Sequence, residues 1–553
     1  MVATQSDLNL CKTIFSGAVL DYPPPVIIAW NQTIEPEKQD GLWGGGTHLF
    51  KIIKVLEWLE NLPVERDNDI VMMMDSYDIW FQLRKDVLIQ RYHRINAAAN
   101  QQIRRRMGRA ADMERIRQTI LFGSGKRCFP NEIHTVACWP LPPSPLYEDM
   151  WEGNTDSTIG SFPNQWSATR QRFLNSGVII GPAKDMRRLF ARASQKIAEL
   201  GQDPEPDDNG SRWSEKVYHH SDQSVFNMIL GEQEYQREVM RIRHMSWFHN
   251  PIYKAQQLFG KDLSDTDRTL EGNVIGNILS PRWSHTNIPH LPGKALEFSI
   301  GLDYWSQLAF QTANSERNGG WLNYSDQPVE SQVVYKDRWD CKPHLEPNLP
   351  IDILSQAPPF SALEETLVEF NNENEEGRPT TNQKRDVVQD GPAGEDNQQG
   401  QSDLVDQGGL VDQGGLVDPG GQNGQQVQQD QQAQQLGEDR HDEHIKEDKV
   451  NLTTLSRQPW NSLPLYTNIC AGTIPVMLHL NGDKSMRDDK WKEMWYQPYA
   501  DRLGGTLRSQ EAMSLLKGAE NEGKQMLEPG CAFTDTGQVL DFRNDLCKQW
   551  DFS

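Results

Sequence analysis

Short unbroken apolar runs alternate with stretches of helical spacing through the first third of the chain. Val26–Trp30 (VIIAW) and Ile70–Met74 (IVMMM) have the character of strands buried on both faces. Between them, Leu49, Ile52, Ile53, Leu56 and Leu59 recur at helical spacing, which predicts a helix after the cluster Gly44-Gly45-Gly46. Residues 11–30 read as two short strands around the Pro23-Pro24-Pro25 turn. Residues 82–117 read as helical and basic, and Ile120-Leu121-Phe122 as another strand. Phe173–Gly181 predicts a strand with a glycine-bearing turn, and a helix follows from Ala183 to Leu200. A further helix begins near Ser221, and Pro475–Leu478 reads as a last strand leading into His479. This alternation predicts an α/β fold: a mostly parallel central sheet flanked by helices.

Between about 355 and 460 the periodicity stops. Gln, Asn, Asp, Glu and Gly dominate, and Leu404–Gly421 repeats LVDQGG, LVDQGG, LVDPGG. Such a composition buries too little apolar surface to offset the entropy of ordering, so a disordered insert is expected. Ser361–Val450 holds 21 acidic and 6 basic residues and thus supplies most of the formal charge of -23. The acidity is local, and it argues against nucleic acid as the main partner. The chain then divides into a main part over 11–350, the insert over 355–460, a resumption over 463–500 and a C-terminal tail over 501–553. Arg104-Arg105-Arg106 with Arg109 reads as a solvated helix face.

Seven scattered cysteines contain no C-x-x-C pair, which speaks against a zinc ribbon. They fit either a reduced cytosolic protein or a secretory one with two or three bridges. Sequons at Asn31, Asn209, Asn323 and Asn451 add weak weight to the secretory route. No run of about 18 apolar residues is present to span a membrane, and residues 1–9 carry no signal-peptide pattern. Any anchor is expected upstream of Met1.

The chemistry centres on Asp75-Ser76-Tyr77-Asp78, where a buried strand runs out. Open α/β sheets collect ligands at the carboxyl ends of their strands. Two carboxylates there suit a hard divalent cation that bridges to phosphates. An ordinary strand exit with a capping Asp explains the same pair. Alone, His479 reads as a core or surface histidine; its position after an apolar strand and before Asn481-Gly482 puts a ligand role on an equal footing.

Several segments, taken in order, resemble the glycosyltransferase domain of procollagen-lysine hydroxylases. They are GGGTHLFKIIKVLEWL (44–59), DIVMMMDSYDIW (69–80), ILF (120–122), ACWP (137–140), FLNSGVIIG (173–181), HHSDQSVF (219–226), LDYWSQLAFQ (302–311) and PVMLHLNGDK (475–484). The resemblance covers 41–311 and 475–495. It implies a GT-A fold, a Rossmann-like sheet that binds a UDP-sugar donor and Mn2+ and transfers a hexose to a protein or glycan acceptor. It also implies a Golgi or ER lumen.

By the same resemblance Asp75, Asp78 and His479 would hold the metal, and an imidazole beside two carboxylates favours manganese over magnesium. Gly44, Gly45, Gly46, Trp139, Asn175, Ser176, Gly177, Gly482 and Lys484 would line the donor site. Gly482 would offer its amide and Lys484 its ammonium to the diphosphate, and Trp139 would cover the nucleotide or serve as a core aromatic. Asp222 and Gln223 would face the donor sugar or the acceptor. Four features depart from the family. Leu480 stands where the family has glycine, the family's first strand would precede Cys11, the region from Cys128 to Trp139 is longer than in the family, and nothing resembles the hydroxylase domain. The competing reading is a non-catalytic nucleotide-sugar-binding or interaction protein on the same scaffold.

Overall fold

Phe173–Pro182 (β5) organises the sheet that carries the candidate site. Nine of its ten residues are buried, which suits a strand paired on both edges. In the computed structural model it pairs antiparallel with Ile70–Met74 (β2) on one edge and with Ile120–Gly125 (β4) on the other. Ile300–Leu302 (β6) adds parallel to β4, giving the order β2-β5-β4-β6. The structure describes residues 1–32, 47–131, 133, 135–156, 166–200, 221–244, 296–325, 328–333, 341–359, 457–500 and 532–548.

The sheet is therefore mixed. The strands β2, β4 and β6 run one way, but β5 lies reversed between β2 and β4. Helices α3 (Lys85–Met107) and α4 (Arg109–Met113) separate β2 from β4 and restore the strand direction. Among the described residues between β4 and β5 only one 3-10 turn occurs, so the chain returns antiparallel.

Helices α2 (Thr47–Glu60), α5 (Ala183–Leu200) and α6 (Asp222–Arg243) contribute to one apolar core with this sheet. Ile52, Val55 and Leu59 of α2 are buried, and Phe226 packs against Phe122 and Phe190 with centroids 5.3 Å apart. Ile53, expected on the inner face, is 40% exposed, while Lys51 points inward.

The reading of residues 11–30 as two strands is corrected. Leu8–Val19 is a helix (α1), and only Val26–Ile27 (β1) is extended. Leu10 with Ile14, and Cys11 with Phe15 and Val19, are buried at i, i+4 spacing, and the Asp7 side chain caps the helix by accepting from the Asn9 amide at 2.7 Å. The C-terminal tail contributes two short strands. Ala532–Thr534 (β11) pairs parallel with β1 and antiparallel with Val539–Leu540 (β12), and a disulfide joins Cys547 to Cys11. Val2 bridges to Ile28, so the N-terminal residues lie beside β1. Among the described residues no strand covers the outer edge of β2; that edge borders a cavity of about 680 Å³ lined in part by Ile14, Val55, Trp58 and Met72.

A second sheet delivers the late part of the chain to the early part. Met477–His479 (β10) lies between Ile79–Phe81 (β3), antiparallel, and Ala309–Gln311 (β7), parallel. Gly319–Leu322 (β8) and Leu465–Asn468 (β9) form an antiparallel pair. The chain divides into one unit of Met1–Leu367 with Ser456–Ser553 and another of Val368–Leu455. Nearly all of the predicted insert lies outside the described residues. No described helix is long and apolar enough to cross a membrane.

Buried ion pairs tie the helices to the rest of the fold. Arg91 of α3 holds Asp352 at 2.9 Å, and Arg106, Glu234, Arg237 and Glu297 form a chain of pairs between α3, α6 and the segment that leads into β6. Arg106 is thus partly withdrawn from the solvated face predicted for it. Burial would raise the Glu234 and Asp352 carboxyls, but their arginine partners hold both below the ordinary values of 4.5 and 3.8. A carboxyl with a depressed folded pKa stabilises fully above its unfolded pKa and loses that contribution as pH falls through the folded value. Asp303, whose pKa burial raises, works in the opposite direction. The denaturant midpoint should therefore hold above about pH 5 and fall steeply toward pH 3. Glu234→Gln should flatten the acid limb; an unchanged limb would remove Glu234 from this account.

Candidate metal centre

Strand pairing brings the three predicted ligands together. Asp75 leaves the end of β2, and its amide donates to the Gly177 carbonyl at 2.8 Å, which fixes the exit against β5. His479 ends β10 opposite Ile79, and the next amide, Leu480, donates to the Asp78 carbonyl at 2.7 Å. Antiparallel register alone thus places an imidazole beside carboxylates about 400 positions away in the chain. The His479 Nε2 lies 3.5 Å from Asp75 Oδ2 and 3.4 Å from Asp78 Oδ1. The three ligand atoms lie within 4.8 Å of one another.

Each carboxylate is held by one oxygen and offers the other. Asp75 Oδ1 takes the Lys51 ammonium at 2.7 Å, and Asp78 Oδ2 takes the Arg487 guanidinium at 2.9 Å. The opposite oxygens, Asp75 Oδ2 and Asp78 Oδ1, turn toward His479. Asp78 Oδ1 and both His479 ring nitrogens are buried without a hydrogen-bond partner. Buried polar atoms are rarely left so, and a cation bound between them would satisfy the two ligand atoms. Burial would push the Asp78 carboxyl up, but His479, Arg487 and Lys51 hold it below its usual range, so it stays ionised. The residues fit a divalent cation with oxygen and nitrogen ligands.

Lys51 was not predicted, and it is the second centre of the site. Its ammonium also donates to Asp222 Oδ2 at 2.9 Å and to the Ser176 carbonyl at 3.3 Å. Burial alone would lower its pKa; Asp222 and Asp75 raise it well above the ordinary lysine value. The available signal was a lysine four residues before Val55, on the buried stripe of α2. Arg487, at the start of the short helix Arg487–Lys492, was missed as well.

The donor-site residues separate into two groups. Asn175, Ser176, Gly177, Asp222 and Gln223 gather around Lys51 and the triad: Gln223 Oε1 accepts from Asn175 Nδ2 at 3.0 Å and from the Ser176 amide at 3.4 Å. Asp222 is 4% exposed and held by Lys51, with its pKa lowered by that ammonium against the effect of burial, so it is no free base. Trp139 is 1% exposed and packs edge-on against Tyr235, as a core aromatic. The Gly482 amide donates to Thr312 Oγ1 at 3.0 Å, which corrects its expected availability to a phosphate. Lys484 sits in an exposed 3-10 turn after the loop. Gly44, Gly45 and Gly46 lie outside the described residues.

Gly177 is required by space. A Cβ built on it would lie 2.0 Å from His479 Cε1 and 2.9 Å from Asp75 Oδ2. Gly177→Ala should displace the imidazole, costing about 1–3 kcal/mol of stability, as overpacking does. It should also lower Mn2+ affinity about tenfold, as misoriented ligands do. Calorimetric titration with Mn2+ checks this, and an unchanged affinity would contradict the placement of His479.

Comparison with known protein families and with characterised proteins gives no match. The metal-centre reading therefore rests on the geometry of the site.

Proposed function

We propose that this protein is a metal-dependent glycosyltransferase of GT-A type. It would move a hexose from a UDP-sugar to a hydroxyl on a protein or glycan acceptor. The carrying observation is the convergence of Asp75, Asp78 and His479, with one oxygen of each carboxylate held by a fixed cation and the other turned inward. The ordered resemblance to the procollagen-lysine hydroxylase glycosyltransferase domain supplies the reaction class.

Held by these three side chains, Mn2+ would act as a Lewis acid that neutralises charge on the leaving diphosphate. The chain's own charges suit such a donor. Asp75, Asp78 and Asp222 against Lys51 and Arg487 leave one negative charge, which a divalent ion converts to one positive charge facing an anion. Lys51 and Arg487 orient the carboxylates, and Asn175 with Gln223 presents a fixed amide pair to a sugar. Lys484 is the exposed cation nearest in sequence to the site for the diphosphate.

Three disulfides, Cys11–Cys547, Cys128–Cys138 and Cys341–Cys470, favour an oxidising compartment and hence a secretory route. Purified protein with Mn2+ should hydrolyse or transfer from at least one UDP-sugar, and chelation with EDTA should stop it. The engaged Gly482 amide and the lysine-bound Asp222 favour the second reading, a nucleotide-sugar-binding protein without turnover. UDP binding by calorimetry, with no turnover across a donor panel, would decide for that reading.

A further inference from the structure

A second cavity lies away from the metal centre, at the β6 edge of the central sheet, between α3 and α6. Its volume is about 440 Å³, within the usual range for a small-molecule site. None of its lining residues belongs to the triad.

Four features of its wall define what it can hold. First, its charged side chains are already engaged. Arg106 and Arg237 pair with Glu234, Arg237 also pairs with Glu297, and Arg94 pairs with Asp352 at 3.0 Å. The Asp303 carboxylate accepts from the Gln307, Leu308 and Ala309 amides. An anion would meet no unpaired cation here. Second, Gln118 lines the cavity, is 5% exposed, and has an amide nitrogen with no hydrogen-bond partner. Its backbone is pinned on both sides by the Asn100 side chain, at 2.7 and 3.1 Å.

Third, Gly301 makes room for that amide. A Cβ on Gly301 would lie 1.6 Å from Gln118 Oε1. A glycine in a strand otherwise weakens it, so the close approach identifies a built position. Fourth, Tyr304 and Trp305 line the same cavity with Pro142 and Pro143. Burial raises the Tyr304 pKa to about 12, so its phenol stays a neutral donor and acceptor.

We propose that this cavity binds a neutral saccharide unit, as a site separate from the metal centre. A pyranose ring presents C–H faces to the two aromatic rings and hydroxyl oxygens to the Gln118 amide and the Tyr304 hydroxyl. A purely apolar ligand would leave the buried Gln118 donor unsatisfied, and a charged one would find its counter-charges taken. The proposal does not rest on the transferase reading, because it needs neither metal nor nucleotide.

The experiment uses the full chain without Mn2+ or UDP. Saturation-transfer NMR and calorimetry would probe methyl β-galactoside, methyl β-glucoside and methyl α-mannoside, with glucuronate and inorganic phosphate as anionic controls. At least one neutral glycoside should bind, with neither control competing. Gln118→Leu should weaken it about tenfold, near the upper range for one buried hydrogen bond. If Gln118→Leu does not fold, Tyr304→Phe removes a hydroxyl without removing the ring and should weaken binding about threefold to tenfold. No binding by any neutral glycoside, preference for either anion, or equal affinity in wild type and the folded variants would each overturn the proposal.

Discussion

Asp75→Asn with Asp78→Asn is expected to abolish metal binding while leaving the fold in place. The amides keep the volume of the carboxylates and remove both negative charges. His479 alone then faces the centre, and Mn2+ affinity should fall by more than about 100-fold, beyond the 10- to 100-fold that loss of a supporting residue alone costs. The apo variant should remain folded, because Lys51 keeps Asp222 as its partner and Arg487 is only partly buried. Linkage gives a readout that needs no substrate. A ligand at 100 times its dissociation constant stabilises by about 2.7 kcal/mol, so Mn2+ should raise the wild-type melting temperature by several degrees and the variant's not at all. Any transfer from a UDP-sugar should vanish with it. A variant that still responds to Mn2+, or retains activity, would remove the metal role from these two carboxylates and the function proposed above with it.

The triad could be read in the sequence because Asp75 and His479 each end an apolar strand and Asp78 immediately precedes another. Asp75 follows Ile70–Met74, and His479 ends Met477–His479. Runs such as IVMMM, ILF and VIIG admit little but a buried strand, and the polar residue at the end of one is the first that can face a ligand. The supporting cations were not legible in the same way. Lys51 and Arg487 have long flexible side chains whose partners are set by tertiary packing, and neither is a neighbour in sequence of the carboxylate it holds. The direction of β5 was misjudged because strand–helix alternation predicts parallel pairing only where a helix intervenes, and among the described residues 126–172 none does. The helix Leu8–Val19 was misread although Leu10, Cys11, Ile14, Phe15 and Val19 recur at helical spacing, and the Asp7 cap was a second local signal. The pairing of Ala532–Thr534 with β1 spans some 500 residues and has no local signature at all.

Lys51→Met should be the most destabilising single change at the site. The ammonium bridges two carboxylates, and Asp222 is buried with Lys51 as its main counter-charge. Methionine fills the same space but leaves that carboxylate uncompensated, and breaking a buried pair in this way costs about 3–5 kcal/mol. The dependence on pH separates charge from packing. In the wild type the raised Lys51 pKa means that its stabilisation is fully present below the unfolded lysine pKa and is lost as pH rises through the folded one. In Lys51→Met, burial without a cation should raise the Asp222 pKa, so the variant's deficit should shrink as pH falls from neutral and the carboxylate takes up a proton. The double change Lys51→Met with Asp222→Asn should recover much of the loss at pH 7, since it removes the stranded charge along with its partner. Urea unfolding of the four proteins at two pH values measures the cycle. Additive losses in that cycle, or a Lys51→Met deficit that does not change with pH, would show that Lys51 acts through packing and does not hold Asp222 by charge.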